Sequence, residues 1–312
     1  MPAKLRDKIP PGRVLNERPP GGRDPKLRIG DMEMDGLAAE VLYPTAALAF
    51  YSLDQDVQEA GLRIYNDWLA DYCKSSPERL FGVAALSVYD IDGAIKEMQR
   101  AHDMGLLGGL IWQSPHPSLP FMSDHYEKLW SAAEELGAPI NLHILTGHDY
   151  SSRPEIKGFE HVRGSVNQKT ASMMDTLYDF VWSGVFDRHP KLKVELVEGE
   201  IGWMPFVLQQ WDYYFQRFSK PGPQHDEFPI NRLPSEIFRE HVYCTFMDDY
   251  VGSRLLSVWG QDNCMWSSDY PHGNTTWPQS RAFIARQCAD LSEETKTRVL
   301  SQNVIDLYGL PF

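Results

Sequence analysis

The sequence predicts an α/β fold in which parallel strands curl into a (β/α) barrel of the TIM type. Strand-like apolar runs alternate with helical segments of ten or more residues, and this alternation is typical of a parallel sheet. A doubly wound sheet is the alternative, but no GxGxxG or GxxxxGK[ST] glycine pattern follows an early strand. The 312 residues suffice for one barrel, which normally needs about 250.

Seven strands are predicted, one fewer than the eight of a closed barrel. Residues 1–27 are rich in Pro, Gly and Arg and predict an irregular arm, so that residues 28–312 form a single barrel domain. Seven strands would leave a gap between the last strand and the first. The predicted strands are 39–44, 82–88, 107–112, 139–145, 192–198, 242–246 and 264–269, and the helical patterns between them lie near 54–74, 92–105, 123–137, 170–187, 201–218 and 250–259.

Composition excludes several classes of function. The net charge is -13 and no basic block occurs, which argues against nucleic-acid binding. No apolar run reaches the length of a membrane span and the N-terminus has no signal-peptide core, so we expect a cytoplasmic protein that does not enter membranes. The four cysteines form no CxxC pair, and we expect reduced, buried thiols.

Three strands end on a polar side chain, and in a barrel the strand ends carry the chemistry. These residues are His143, Glu198 and Asp269. An ionised carboxylate there is costly unless it is paired or binds a cation, and imidazole with carboxylate suits zinc, manganese or iron. Side chains alternate between the two faces of a strand, so Asn141 shares a face with His143. In the same way, Val194 and Leu196 share a face with Glu198, and Met265 and Ser267 share a face with Asp269.

Each of these residues also has a purely structural interpretation. His143 could be a hydrogen-bonded core histidine, and Asp269 could cap a helix. Glu198 and Glu200 precede a helical pattern that begins near Ile201, where carboxylates favour the helix dipole. The occurrence of three such residues at corresponding strand ends favours a shared site, with the structural interpretations as alternatives.

Several motifs resemble the amidohydrolase-related group, which includes aminocarboxymuconate-semialdehyde decarboxylase, γ-resorcylate-type decarboxylases and many predicted metal-dependent hydrolases. The motifs fall in the order of that family and run from about residue 28 to residue 310. They are AEVLYPT, YNDWLADYC, LHILTG, VELVEGEIGWMPFVLQQWD, SSDYPH followed by TWPQS, and NVIDLYGL.

The resemblance implies a distorted TIM barrel of the metal-dependent hydrolase type with one divalent metal at its mouth, usually zinc, with manganese as the alternative. His143 matches the fifth-strand histidine of the family, a metal ligand. Asp269 matches the eighth-strand aspartate, which is a metal ligand or an acid/base partner beside the metal.

Two features depart from the family pattern. The family's first strand carries a His-x-His or acidic-x-His ligand pair, whereas residues 1–45 contain no histidine. The chain therefore looks as if it starts one strand late, with 39–44 in place of the second strand. The decarboxylase named above also has a catalytic histidine at the end of its sixth strand, where this chain has Glu198.

The sequence then predicts which residues do the chemistry. Asp269 or Glu198 would move a proton, and His272, past Pro271, would face the pocket from its loop or point to solvent. The predicted substrate-binding residues are His148, Arg163, Tyr43 and Trp203, with Trp112 and Trp277 as further candidates for the pocket wall, although ordinary packing is an alternative for each aromatic residue.

The expected function is that of a metal-dependent enzyme acting on a small organic acid. Family composition favours decarboxylation, with hydrolysis of an amide, ester or lactone as the first alternative. A non-catalytic or truncated homologue without a complete metal site is the second. The expected partner is a small-molecule substrate, and members of the group are often dimers, so a homodimer is expected by analogy alone.

Overall fold

A curled sheet of seven parallel strands runs through the computed structural model, which describes residues 19–148, 169–222 and 227–312. Each strand pairs with its neighbour in sequence, so the order in the sheet is the order in the chain. This confirms the predicted number of strands and the TIM-like α/β architecture. The strands are β1 (Glu40–Leu42), β2 (Leu80–Ala85), β3 (Leu107–Ile111), β4 (Ile140–His143), β5 (Val194–Val197), β6 (Val242–Phe246) and β7 (Cys264–Trp266).

Helices follow the strands and cover the outer face of the sheet. They are α1 (Pro25–Asp35), α2 (Gln55–Cys73), α3 (Ile91–Asp103), α4 (Glu127–Leu136), α5 (Lys169–Trp182), α6 (Val185–Arg188), α7 (Met204–Phe218), α8 (Pro234–His241), α9 (Tyr250–Ser253), α10 (Ser280–Gln287), α11 (Glu293–Thr297) and α12 (Asn303–Tyr308), with a π-helical turn at Arg298–Gln302 and 3-10 turns at Pro20–Gly22, Ala46–Ser52 and Asp124–Tyr126. No helix in the described ranges is long and apolar enough to cross a membrane.

Local sequence explains where these helices begin and end. α1 starts at Pro25, a residue whose fixed φ suits the first helical turn, and the Asp24 side chain caps it by accepting from Lys26 N. α4 ends at Gly137, whose φ of 63° is the left-handed conformation that favours glycine. The predicted helix 250–259 is wrong in length, because only Tyr250–Ser253 is helical and turns follow it.

The core lies between the sheet and its helices. Leu142, Leu196 and Cys244 occupy matching positions on β4, β5 and β6, and each is fully buried. Burying a side chain of this kind stabilises the fold by about 1.5–3 kcal/mol. All four cysteines are free and buried, as predicted. The alternate residues on the same strands face the inside of the curl, where the polar groups of the candidate site are found.

The sheet does not close on itself within the described residues. β1 is hydrogen-bonded to β2 and β7 to β6, and no ladder joins β7 to β1. A cavity of about 1790 Å³ lies along this opening and extends into the interior of the curl. We call the opening between β7 and β1 the seam.

Candidate metal and active site

Three polar side chains lie together at the carboxyl edge of the sheet. His143 is the last residue of β4, Glu198 directly follows β5, and Asp269 follows β7 by three residues. His143 Nε2 lies 3.1 Å from Glu198 Oε1, and the Asp269 carboxyl group lies beside that of Glu198. All three line the cavity. The structure thus brings together the three strand-end residues that the sequence singled out.

His272 extends this group towards solvent. Its Nδ1 atom lies 3.2 Å from Asp269 Oδ2, and its side chain is 47% exposed. It therefore lies at the outer rim of the site, in contact with both the buried carboxyl group and water.

Both carboxylates reach the site through an unusual backbone conformation. Glu198 has φ 60° and Asp269 has φ 53°, values in the left-handed region that non-glycine residues seldom adopt. Such conformations cost on the order of 1–3 kcal/mol each and concentrate at functional sites. The predicted alternation was wrong for Glu198: Glu195 and Val197 line the cavity, and the left-handed turn brings Glu198 to the same side.

Hydrogen bonding determines which nitrogen of His143 is available. His143 Nδ1 lies 2.8 Å from the Ile144 carbonyl oxygen, which can only accept, so Nδ1 carries the hydrogen. In the neutral ring, Nε2 therefore holds the lone pair, and Nε2 is the atom that faces Glu198. A backbone acceptor on the far nitrogen is the usual way in which proteins orient a metal-binding histidine.

Burial and charge shift the pKa values of the site. Burial by itself would lower the pKa of His143, but the charge and hydrogen bond of Glu198, the Ile144 carbonyl and the charge of Asp269 together raise it. Burial raises the pKa of Asp269; its hydrogen bond to His272 opposes the shift and the nearby Glu198 adds to it. Two carboxyl groups held together in a partly buried site thus attract either a proton or a cation.

The donor atoms of these residues are of the types that bind the divalent metal implied by the family resemblance. An imidazole nitrogen with a lone pair and two adjacent carboxyl groups are the ligands that zinc and manganese use. Within the described ranges, however, no group of three or more His, Cys, Asp or Glu side chains is placed so that it could hold a metal ion. His143 and Asp269 would hold the ion, and this set leaves coordination positions for other ligands.

A second polar cluster lies one layer deeper in the curl. Tyr43 Oη lies 2.9 Å from Asn141 Oδ1 and 3.0 Å from Glu195 Oε2. Tyr308 Oη, from α12, lies 2.5 Å from each of the same two oxygens and 2.6 Å from Tyr43 Oη. We call these four residues the floor cluster. The Tyr43 ring also packs against His143, with ring centroids 6.1 Å apart, so the cluster supports the site from below.

A proton on Glu195 would give the floor cluster a third hydrogen. Each phenol supplies one hydrogen, and the Asn141 amide nitrogen donates elsewhere, to the Pro139 carbonyl oxygen at 2.9 Å. An ionised Glu195 would therefore leave four oxygen atoms with only two hydrogens among them. Burial raises the pKa of Glu195 to about 7, although the two tyrosine hydrogen bonds and His143 oppose the shift.

Sequence reasoning missed Glu195 and Tyr308 as functional candidates. The signal for Glu195 was present, because a charged residue in the apolar run VELV is seldom fully buried without a specific partner. No local pattern indicates that Tyr308, in the last helix, contacts side chains on β4 and β5.

The predicted substrate-binding residues are dispersed. Tyr43 lines the cavity, but its hydroxyl group belongs to the floor cluster. His148 instead contacts Tyr89 Oη at 3.0 Å, and burial lowers its pKa. Trp203 donates to the Gly199 carbonyl oxygen at the start of α7. Neither His148 nor Trp203 is among the described residues that line the cavity, and Arg163 lies outside the described residues.

The two further aromatic candidates have structural partners. Trp112 is fully buried and donates to Tyr126 Oη at 3.1 Å. Trp277 donates to the Asp31 carbonyl oxygen on α1 at 3.1 Å. Ordinary packing, the alternative allowed for each aromatic residue, describes both.

Comparison with known proteins shows a family match over almost the whole chain. The model of the Amidohydro_2 family, described as amidohydrolase, matches residues 13–310. A γ-resorcylate decarboxylase of Rhizobium sp. is 28% identical over 67% of this chain and 65% of its own length, so the match spans slightly less than two thirds of that relative.

Two solved structures share the fold. The 2,6-dihydroxybenzoate decarboxylase from Rhizobium is 21% identical, with a TM-score of 0.74 over 100% of this chain and 96% of that one. The 5-carboxyvanillate decarboxylase of Novosphingobium aromaticivorans, complexed with manganese and 4-hydroxy-3-methoxy-5-nitrobenzoic acid, is 22% identical, with a TM-score of 0.75 over 91% of this chain and 79% of that one.

Proposed function

This chain belongs to the amidohydrolase family, and we propose that it removes CO2 from a small aromatic or unsaturated carboxylic acid with the help of one divalent metal ion. The names of its relatives support decarboxylation over hydrolysis. The single observation that carries the proposal is the contact of His143 Nε2 with Glu198, beside Asp269, at the end of three different strands.

The residues have separate roles in this reaction. His143 and Asp269 would hold the metal ion, which, when bound, polarises a substrate oxygen and stabilises developing negative charge. Glu198, between those two residues, donates a proton to the substrate carbon as the bond to the departing CO2 breaks. The electron pair of that bond stays on the carbon and takes the proton, and Glu198 regains a proton from water. His272, at the rim, hydrogen-bonds Asp269.

The metal proposed is manganese rather than the zinc that the resemblance suggests. One imidazole nitrogen and one carboxylate oxygen, from His143 and Asp269, suit manganese as well as zinc. The manganese bound in related decarboxylase structures supports this choice.

The test is CO2 release by the purified chain from 2,6-dihydroxybenzoate and from 5-carboxyvanillate, with Mn²⁺ or Zn²⁺ added. Glu198→Gln is expected to lower kcat by about 10²–10⁴-fold, the contribution of a positioned proton donor. His143→Ala and Asp269→Asn are expected to abolish Mn²⁺ binding, measured by the loss of the free-ion electron paramagnetic resonance signal. Glu293→Gln, an exposed carboxylate on α11, is the matched control and should change neither.

Other outcomes would favour the alternatives. Hydrolysis of an amide, ester or lactone without CO2 release would make the chain a hydrolase. Absence of both turnover and metal binding would indicate a non-catalytic homologue with an incomplete site. Unchanged turnover in both His143→Ala and Asp269→Asn would refute the site itself.

A further inference from the structure

A short turn between the end of β5 and the start of α7 contains two residues with left-handed backbone. Glu198 has φ 60° and Glu200 has φ 51°. The last residue of β5, Val197, lines the cavity, so a strand that simply continued would direct the next side chain to the opposite face. The turn therefore decides whether the Glu198 carboxyl group reaches His143. We call residues 198–202 the acid turn.

Side chains from β6 and from the loop after it bind the acid turn at both of its ends. Thr245, on β6, accepts from Glu198 N through its hydroxyl oxygen at 2.8 Å. Asp249, three residues beyond β6, accepts from Ile201 N at 2.8 Å and from Gly202 N at 2.5 Å, both through Oδ2. A non-glycine residue at positive φ persists only where its surroundings over-determine it, and these hydrogen bonds are such surroundings.

The Asp249 carboxylate is itself fixed in place. Its Oδ1 atom accepts from Gly252 N at 2.8 Å and so caps α9. The backbone of the same residue donates to Gln287 Oε1 at 2.9 Å, and Gln287, fully buried at the end of α10, donates in turn to the Met247 carbonyl oxygen at 2.7 Å. Three backbone N–H groups thus converge on one carboxylate, a group that offers only acceptors when ionised.

The glycine at position 202 allows the carboxylate to approach the turn this closely. A Cβ atom on Gly202 would lie 2.9 Å from Asp249 Oδ1, 3.0 Å from Asp249 Oδ2 and 3.2 Å from Gly252 N. These distances are shorter than an ordinary van der Waals contact, so a side chain here would displace the carboxylate. Glycine is the residue that suits a close approach to the backbone.

We propose that Asp249 is a positioning residue for Glu198. By holding the acid turn, it keeps the Glu198 carboxyl group in the cavity, 3.1 Å from His143 Nε2. Asp249 is not among the described residues that line the cavity, so it acts through the turn and not on the substrate. Its part in proton donation rests on the proposed function, whereas its hold on the turn does not.

The test replaces Asp249 by asparagine. The amide keeps one acceptor oxygen and turns an NH2 group towards a backbone N–H, so at least one of the three hydrogen bonds is lost. The matched control is Asp248→Asn, because the Asp248 carboxylate pairs with Arg286 on α10. Gly202→Ala is a second test variant, which displaces the carboxylate but keeps its charge and decides the question if Asp249→Asn does not fold.

The first readout is amide hydrogen exchange, measured without metal or substrate. We expect exchange at Glu198 N to be at least about tenfold faster in Asp249→Asn and in Gly202→Ala than in the wild type. This amide donates to Thr245 and not to Asp249, so it reports on the whole turn. Asp248→Asn should leave its exchange unchanged. Unchanged exchange at Glu198 in both test variants would overturn the proposal, because Asp249 would then hold only the far end of the turn.

The second readout is CO2 release from 2,6-dihydroxybenzoate with Mn²⁺ added. We expect Asp249→Asn to lower kcat by about 10–100-fold, the effect of a misplaced reacting group, and to change KM and Mn²⁺ affinity less than about twofold. In a Glu198→Gln background it should lower kcat no further, because residues that act as a unit are not additive.

The kinetic outcomes separate this proposal from the proposed function. A loss of kcat that is just as large in the Glu198→Gln background would overturn the action of Asp249 through Glu198. If the wild type releases no CO2, or if Glu198→Gln keeps full kcat, the proposed function fails instead. Amide exchange at Glu198 then decides by itself whether Asp249 positions that side chain.

Discussion

Replacing Glu195 by glutamine tests the floor cluster most directly. Burial raises the pKa of Glu195 to about 7 from its ordinary 4.5. At a pH between those two pKa values, Glu195 keeps its proton in the folded protein and has released it in the unfolded chain. The stability that Glu195 contributes is therefore fully present below about pH 4.5 and is lost as the pH rises to about 7. At about 1.36 kcal/mol per pKa unit, the loss is about 3 kcal/mol.

Glu195→Gln should remove this pH dependence, because its uncharged amide can donate to the same oxygens at every pH. The free energy of unfolding, measured with urea from about pH 5 to about pH 8, should rise in the variant relative to the wild type by up to about 3 kcal/mol as the pH increases. The control Glu293→Gln replaces an exposed residue, and its free energy of unfolding should differ from that of the wild type by the same amount at every pH.

If the free energy of unfolding of Glu195→Gln differs from that of the wild type by the same amount at every pH, the assignment of a neutral Glu195 in the folded protein is refuted. A difference that falls as the pH rises would mean that the floor cluster stabilises the ionised carboxylate instead.

Three further predictions concern stability and reactivity. Arg28→Ala leaves Glu40 buried and unpaired, since both side chains are under 10% exposed, and should lower the free energy of urea unfolding by about 3–5 kcal/mol. The control Lys74→Ala breaks an exposed ion pair and should cost under about 1 kcal/mol. Equal effects of the two substitutions would contradict the argument. Tyr308→Phe removes a hydroxyl from the buried floor cluster, so it should lower the free energy of unfolding by about 1–3 kcal/mol and the melting temperature with it. The exposed control Tyr213→Phe should leave the melting temperature unchanged. An unchanged melting temperature in Tyr308→Phe would show that the hydroxyl contributes nothing. Because all four cysteines are free and buried, Ellman's reagent should label them only after denaturation, and rapid labelling of the native protein would contradict their burial.

The periodicity of the sequence was enough to predict the sheet. Apolar runs separated by helical patterns predicted seven strands in order, and the structure confirms them because burial on both faces of a parallel strand produces a continuous apolar run. Family motifs and strand ends together also predicted that His143 and Asp269 belong to one site, and both lie at the sheet edge that lines the cavity.

Backbone turns and long-range contacts required the tertiary structure. Strand alternation placed Glu198 on one face with Val194 and Leu196, whereas its left-handed φ brings it to His143. Alternation describes extended backbone and carries no information about a turn that follows the strand.

The floor cluster is likewise a tertiary feature. Tyr308 lies more than a hundred residues from Glu195 in the chain, and its role depends on where the last helix packs. The sequence by itself determined the number and order of the strands in the described residues and which residues lie at the strand ends, because burial and periodicity are local. The opening between β7 and β1 follows from the same strand count, whereas the contacts between distant elements were decided by packing, which no local pattern specifies.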